Sequence, residues 1–221
     1  MKLDKDKIVM KTRILFIIML LCLGTFDIQA QSITDEEREE IEQRIIEKIN
    51  DFISYLPEIA AKSSRPIEER KLALKYIEKA LDLFMGKGYD YTYIDQAGNK
   101  RNHDAVKMQT TTRGVPNPPR PMRKYLQKLM ALTYQKVEID TCSAVRIDKH
   151  IHDAGNGQYT ATASFIQAFR GWRDGRMVIN DKDIKQVTVY IERKVVETPE
   201  GEGVFWIIRL GDIRITTDWG E

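Results

Sequence analysis

A chain of 221 residues, 42% of them hydrophobic, is long enough for one domain with a sizeable core and too short for several. With 35 Lys and Arg against 33 Asp and Glu it carries almost no net charge. Such a chain lacks the global field that draws in nucleic acid or an anionic membrane, so neither is an expected partner without a local patch.

At the N-terminus, Lys11 and Arg13 precede an apolar run over 14–23, and Gly24, Thr25 and the tripeptide Ile28-Gln29-Ala30 lead into Gln31. This is the pattern of a secretory signal peptide over residues 1–30, cleaved after Ala30. The apolar run is too short for a permanent span, so no membrane span is expected after processing and the mature protein is expected to be soluble, secreted or periplasmic. Initiation at Met10 would have the same consequence. Cys22 stands where a lipoprotein cysteine would, but Leu21 before it is too bulky for that processing. Without residues 1–30, which hold five basic and three acidic side chains, 30 of each sign remain. Cys142 is then the one cysteine left. A lone thiol forms no internal disulfide, and its strand-like setting between Thr141 and Ser143 predicts a small buried apolar group.

Residues 31–65 read as an amphipathic helix and a linker. Thr34 with Glu37 forms a capping box, and Ile41, Ile45, Ile49, Phe52, Ile53 and Leu56 recur at helical spacing until Pro57. The acidic start of this helix reads as a solvated face. Residues 66–221 read as one further domain. Pro66 sits in the first turn of a second helix with Glu68 and Glu69, and Ala73, Ile77, Leu81 and Phe84 form its stripe until Gly86. The period then changes: 89–112 reads as two short strands around a turn at Gly98-Asn99. Pro116, Pro118, Pro119 and Pro121 make the next stretch a stiff connector rather than a strand. Met122, Leu126, Leu129 and Met130 mark a third helix.

Four long strands are expected after Thr133, over 137–147, 159–172, 187–195 and 204–215, joined by turns as an antiparallel meander. Asp174-Gly175 is a type I′ hairpin signal that pairs Arg173 with Arg176 and Trp172 with Met177. Counting back from that turn puts Phe165, Gln167 and Phe169 on the helix side, but the apolar alternation of Val187, Val189 and Ile191 has the opposite parity. One extra residue must therefore be absorbed, and a β-bulge is expected at 180–183. On the last strand, Trp206, Ile208 and Leu210 face one way and Phe205, Ile207 and Ile213 the other. Both faces are apolar, so the N-terminal helix or a second copy is expected to cover Trp206.

This element order, helix, helix, strand, strand, helix and four strands, resembles the nuclear transport factor 2-like superfamily, the cone-shaped α+β fold also seen in ketosteroid isomerase and scytalone dehydratase. The resemblance covers about residues 66–218 and rests on element order and strand length. It implies N-terminal helices packed on a strongly curved antiparallel sheet, a pocket between them, and a homodimer through the outer sheet face. Active members place a general base against hydroxyl or amide donors inside that pocket. Asp183, Asp212 and His103 are candidate bases here, yet no residue pattern assigns any of them to a pocket wall.

Two groups of residues stand out as candidate sites. Arg170, Trp172, Arg173 and Arg176 crowd the hairpin tip and either bind an anion or partner, or merely keep a projecting hairpin solvated while Trp172 packs on Met177. Gln167, Asp183 and Arg209 are polar residues in apolar alternation and either fix a ligand in a pocket or satisfy one another. Metal chemistry is not expected: His150, His152 and Asp153 lack identifiable third and fourth ligands, and Asp181 and Asp183 begin a calcium-loop pattern that Lys185 and Gln186 break. No cofactor is expected either. The expected function is an exported, non-enzymatic module of the cell envelope that binds a small ligand or an envelope protein. The alternative is a small-molecule pocket enzyme of isomerase or dehydratase type.

Overall fold

The computed structural model describes residues 33–94, 99–155, 157–199 and 201–217. The first helix, α1 (Asp35–Ile59), opens on the expected capping box: Glu37 N–H donates to Thr34 Oγ1 at 3.2 Å while Thr34 N–H donates to Glu37 Oε2 at 2.9 Å. The whole apolar stripe from Ile41 to Leu56 is buried, and Ile59 with it. The helix does not stop before Pro57. A proline in the last turn forfeits only the bond its own N–H would have made, and Ala60 N–H still donates to Leu56 O at 3.0 Å.

Helix α2 (Ile67–Asp82) follows with Pro66 at its N-cap. Phe84 then seats edge-on against Phe52, ring centroids 5.0 Å apart, and bridges to Leu210. A short 3-10 turn (Met85–Gly88) leads into the hairpin β1 (Tyr91–Ile94) and β2 (Lys100–His103). Gly98 of the expected turn lies outside the described residues. The proline-rich stretch is not a bare connector. It supplies two two-residue strands, β5 (Val115–Pro116) and β6 (Arg120–Pro121), which pair with the equally short β4 (Thr111–Thr112) and β3 (Lys107–Met108). Pro116 pairs with Thr111 and Pro121 with Lys107. Pairings this short, at the rim of a sheet, tolerate a residue without an N–H.

Helix α3 (Met122–Met130) precedes five strands rather than four: β7 (Lys136–Thr141), β8 (Arg146–Gly155), β9 (Gln158–Arg173), β10 (Arg176–Thr198) and β11 (Gly201–Thr216). The expected strand over 137–147 breaks in two, and both halves pair the same neighbour. β7 lies along 167–172 of β9, and β8 along 158–164. At the break, Cys142 N–H donates to Ile166 O at 2.8 Å and Ile166 N–H donates to Ser143 Oγ at 2.9 Å. A serine side chain thus replaces a ladder carbonyl, and Cys142, expected to be buried, is exposed.

The fold is α+β, with a large sheet ordered β6-β3-β11-β10-β9-β7 and β8 on the remaining part of β9. The sheet is open. It is also mixed rather than purely antiparallel, because β3 joins β11 in parallel at Met108 and Ile213.

One face of the long strands carries Ala163, Phe165, Val187, Val189, Ile208 and Leu210, all at 2% exposure or less, and forms the core with the helices. Trp206 lies on this face, 5% exposed, its ring edge-on to Tyr159 at 5.7 Å, and α1 packs against its strand. It is covered within the chain itself.

Bulges in the pairings of β10 with both of its neighbours bend the sheet. The extra residue of the β9–β10 hairpin is Val178, between the pairs Met177↔Trp172 and Ile179↔Gly171, and not the expected 180–183. Gly171 explains the position: a Cβ there would come 2.7 Å from Ile179 Cγ2 and 3.1 Å from the Tyr134 ring, so the strands close in only opposite a glycine. The second bulge sets two residues of β11, Gly211 and Asp212, against Thr188. It returns Ile213 to the buried face with Leu210, whereas simple alternation had put Ile213 on the side of Phe205 and Ile207.

Candidate functional site

The hairpin tip has the predicted turn. Asp174 and Gly175 have φ of 52° and 71°, and Arg173 pairs with Arg176 and Trp172 with Met177. Its arginines are largely occupied. Arg170 Nη1 lies 2.6 Å from Asp140 Oδ2 and 3.6 Å from Glu138 Oε2. Arg173 Nη2 donates to Thr133 Oγ1 at 3.1 Å, and its guanidinium lies over the Tyr134 ring. Lys136 Nζ sits 4.9 Å over Trp172. Gln135 clasps the turn from the side, accepting from Gly175 N–H and donating to Asp174 Oδ1, each at 3.4 Å. Arg176 is exposed. These contacts favour a solvated, self-braced hairpin end over a binding patch.

The expected outcome of substitution there is asymmetric. Gly175→Val places a β-branched residue at positive φ, costing roughly 1–2 kcal/mol in backbone strain and loosening the register of two long strands. Arg173→Ser with Arg176→Ser is expected to shift stability by less than about 1 kcal/mol, because exposed charged contacts contribute little. Thermal melting of both variants checks this; a larger loss in the arginine pair would make the tip a structural clamp.

Of the three nominated pocket residues, the structure brings two together. Gln167 and Asp183 are cross-strand partners on β9 and β10, on the core face. Thr111 Oγ1 donates to Asp183 Oδ1 at 2.7 Å, and Lys185 Nζ donates to Asp183 Oδ2 at 3.1 Å and to Gln109 O at 3.3 Å. Lys185 is only 3% exposed. Burial lowers its pKa, and Asp183 opposes that shift. Burial also raises the pKa of the Tyr125 hydroxyl, with the nearby Asp183 charge adding to it. Asp183 is thus held in a buried polar network with Thr111, Lys185 and Gln109, whereas Gln167 Nε2 is buried with no hydrogen-bond partner among the described residues.

Arg209 is elsewhere. It lies opposite Tyr190 across β10–β11, on the face turned away from the helices. There the β1–β2 hairpin and the Met85 turn lie over the sheet and leave a cleft of about 600 Å³, lined chiefly by Tyr91, Tyr93, His103, Tyr190, Ile207 and Arg209.

Local chemistry accounts for its walls. Gly86 has φ of 64°, and a Cβ there would strike the Tyr91 ring at 2.7 Å, so the turn into the hairpin needs glycine twice over. Gly211 does the same from below: a Cβ would lie 2.6 Å from Tyr190. Tyr91 stacks on His103 with ring centroids 5.0 Å apart, and its hydroxyl is hydrogen-bonded to that of Tyr190. Burial raises the pKa of both tyrosines, with Tyr190 and Asp212 adding to the shift at Tyr91 and Asp212 at Tyr190. The two hydroxyls therefore stay neutral donors.

His103 Nδ1 lies 2.7 Å from Asp104 O. A carbonyl only accepts, so Nδ1 carries the proton of the neutral ring and Nε2 is left as an acceptor. Of the three candidate bases, then, His103 reaches the cleft, Asp183 is in the buried network, and Asp212 Oδ1 accepts from Lys107 N–H at 2.9 Å.

Comparison with protein-family models, with curated proteins and with solved structures found no match. The functional reading rests on this geometry.

Tyr91, Tyr93 and Tyr190 were not singled out from the sequence. The alternation of Tyr89, Tyr91 and Tyr93 before an aromatic-poor stretch was the available signal, since alternate residues of a strand share a face. Nothing local points to Tyr190, almost a hundred positions on. Among the described residues no three His, Cys, Asp or Glu side chains are grouped as a metal would need, and no helix is long and apolar enough to cross a membrane. His152 and Asp153 stand side by side on β8; the side chain of His150 lies outside the described residues.

Proposed function

We propose that this protein is an exported, non-enzymatic binding module of the cell envelope, and that its ligand seat is the cleft beneath the β1–β2 hairpin. The observation that carries the reading is the lining of that cleft. Three tyrosines and a histidine converge on a space of about 600 Å³, within the range of small-molecule sites, with a few polar groups to orient a guest. Export is supported by the basic start, the apolar run over 14–23 and the small-residue cleavage site at Ala30.

One observation favours the alternative, a pocket enzyme. His103 has its Nδ1 tied to Asp104 O and its Nε2 left to accept a proton, the arrangement a general base needs. A base alone is not a catalytic set, and the tyrosine hydroxyls that share its cleft, Tyr91 and Tyr190, are hydrogen-bonded to each other, so binding is the better reading.

Two measurements test the proposal. Intact mass of the exported protein is expected to give a chain starting at Gln31. Retention of residues 14–23, or a lipid on Cys22, would overturn the export reading. Titration with a set of neutral aromatic compounds, followed by amide and aromatic-ring NMR shifts, is expected to perturb Tyr91, Tyr93, His103 and Tyr190 together. Turnover of a bound compound that ends with His103→Gln would establish the enzyme reading instead.

A further inference from the structure

The outer-face cleft has one cation whose charge is not matched. Arg209 makes its hydrogen bond to a backbone carbonyl, Nη1 to Asp82 O at 3.3 Å, and among the described residues no carboxylate is in ion-pair contact with it. The carboxylate of Asp82 is turned to Lys87 Nζ at 3.0 Å. Glu192 also lines the cleft, one cross-strand step along at the Ile207 position, but its Oε1 is drawn toward Lys194 Nζ at 3.8 Å. Behind Arg209, Lys48 of α1 is close enough to feel it: burial first, and then the Arg209 charge, lower the pKa of that lysine. Arg209 thus presents a guanidinium with no carboxylate in contact beside a wall of tyrosine hydroxyls and stacked rings.

A guanidinium with one donor engaged still offers a parallel pair of N–H groups, which fits one carboxylate in two-point fashion. Aromatic walls, in turn, favour a flat guest that stacks on them.

The geometry points to a planar aromatic monocarboxylate as the ligand class of this cleft, its ring among Tyr91, Tyr93 and His103 and its carboxylate on Arg209. A dianion such as a phosphate monoester fits less well, because its second charge would face Glu192. This inference rests on the cleft being the ligand seat.

Isothermal titration of the purified protein with naphthalene-2-carboxylate, naphthalene-2-carboxamide and 2-naphthyl phosphate tests it. The expected result is that the carboxylate binds at least tenfold more tightly than the amide and more tightly than the phosphate. Arg209→Gln should abolish the carboxylate's advantage and leave the amide affinity within about twofold, since it removes the charge and keeps donors. Tyr93→Ala, at a side chain already 38% exposed and so safe for folding, should weaken both. Equal binding of carboxylate and amide, an advantage that survives Arg209→Gln, or tighter binding of the phosphate would overturn the ligand class while the cleft remains a binding site. If neutral aromatic compounds also fail to perturb the cleft by NMR, the proposed function falls with it.

Discussion

A chain lacking residues 34–60 is expected not to fold. Helix α1 contributes seven buried apolar side chains, Ile41, Ile45, Ile49, Phe52, Ile53, Leu56 and Ile59. At about 1.5–3 kcal/mol for each fully buried side chain, their loss is comparable with the roughly 5–15 kcal/mol that keeps a whole domain folded. The same deletion strips Trp206 and the core face of β11 of the helix packed against them. Far-UV circular dichroism and amide NMR dispersion of residues 61–221 are the measurements. A cooperative melt in that fragment would make α1 an appendage on an independent domain, which is how residues 31–65 read in the sequence. A milder form keeps the question quantitative: Ile49→Ala, at a fully buried position, is expected to cost about 2–5 kcal/mol without changing the fold.

The second large effect is expected at Asp183. Lys185 is 3% exposed and its ammonium has Asp183 as its carboxylate partner at 3.1 Å. Asp183→Asn keeps the shape and the contact with Thr111 but leaves a buried cation without a counter-charge, a change that costs about 3–5 kcal/mol in comparable pairs. Lys185→Met should cost less, because Asp183 is the more accessible partner and keeps the Thr111 hydroxyl. The double variant should recover most of the loss, since a neutral, well-packed pair is no worse than a buried ion pair. Urea unfolding of the four proteins gives the coupling directly; additive losses would show that the two side chains do not act as a pair.

The pH dependence follows from the direction of the Lys185 shift. Its folded-state pKa lies below the ordinary 10.5, so between those two values the unfolded chain holds a proton that the folded chain has released. Stability therefore rises with pH across that window, and the cost of burying the charge is fully felt below it. Lys185→Met should flatten this rise. Tyr91 and Tyr190, whose pKa values are raised, act oppositely. The unfolded chain loses those protons first, so their contribution falls as pH passes about 10.

Local rules sufficed wherever a feature depends on neighbours in the chain. The capping box of Thr34 and Glu37, the stripe from Ile41 to Leu56 and the type I′ turn at Asp174-Gly175 each follow from side chains within a few positions, and all are present as read. The need for one extra residue in the β9–β10 hairpin was also legible, because parity is conserved along a strand until something breaks it. Its location was not. Val178 bulges because Tyr134, from outside the hairpin, and Ile179 both close over Gly171, and that contact has no trace in local spacing. The same holds for Cys142, whose exposure depends on β9 serving two partner strands, and for Ile213, which a bulge at Gly211 turns inward. The cleft is the strongest case. Tyr91 and Tyr190, or His103 and Arg209, are far apart in the chain, and only a hairpin laid across the sheet joins them. Secondary structure responds to forces that act over a few residues, whereas a site of this kind is made by packing between distant ones, so the sequence by itself determined the helices and the hairpin turn, while the tertiary structure alone decided where strands divide, where bulges fall and which elements meet.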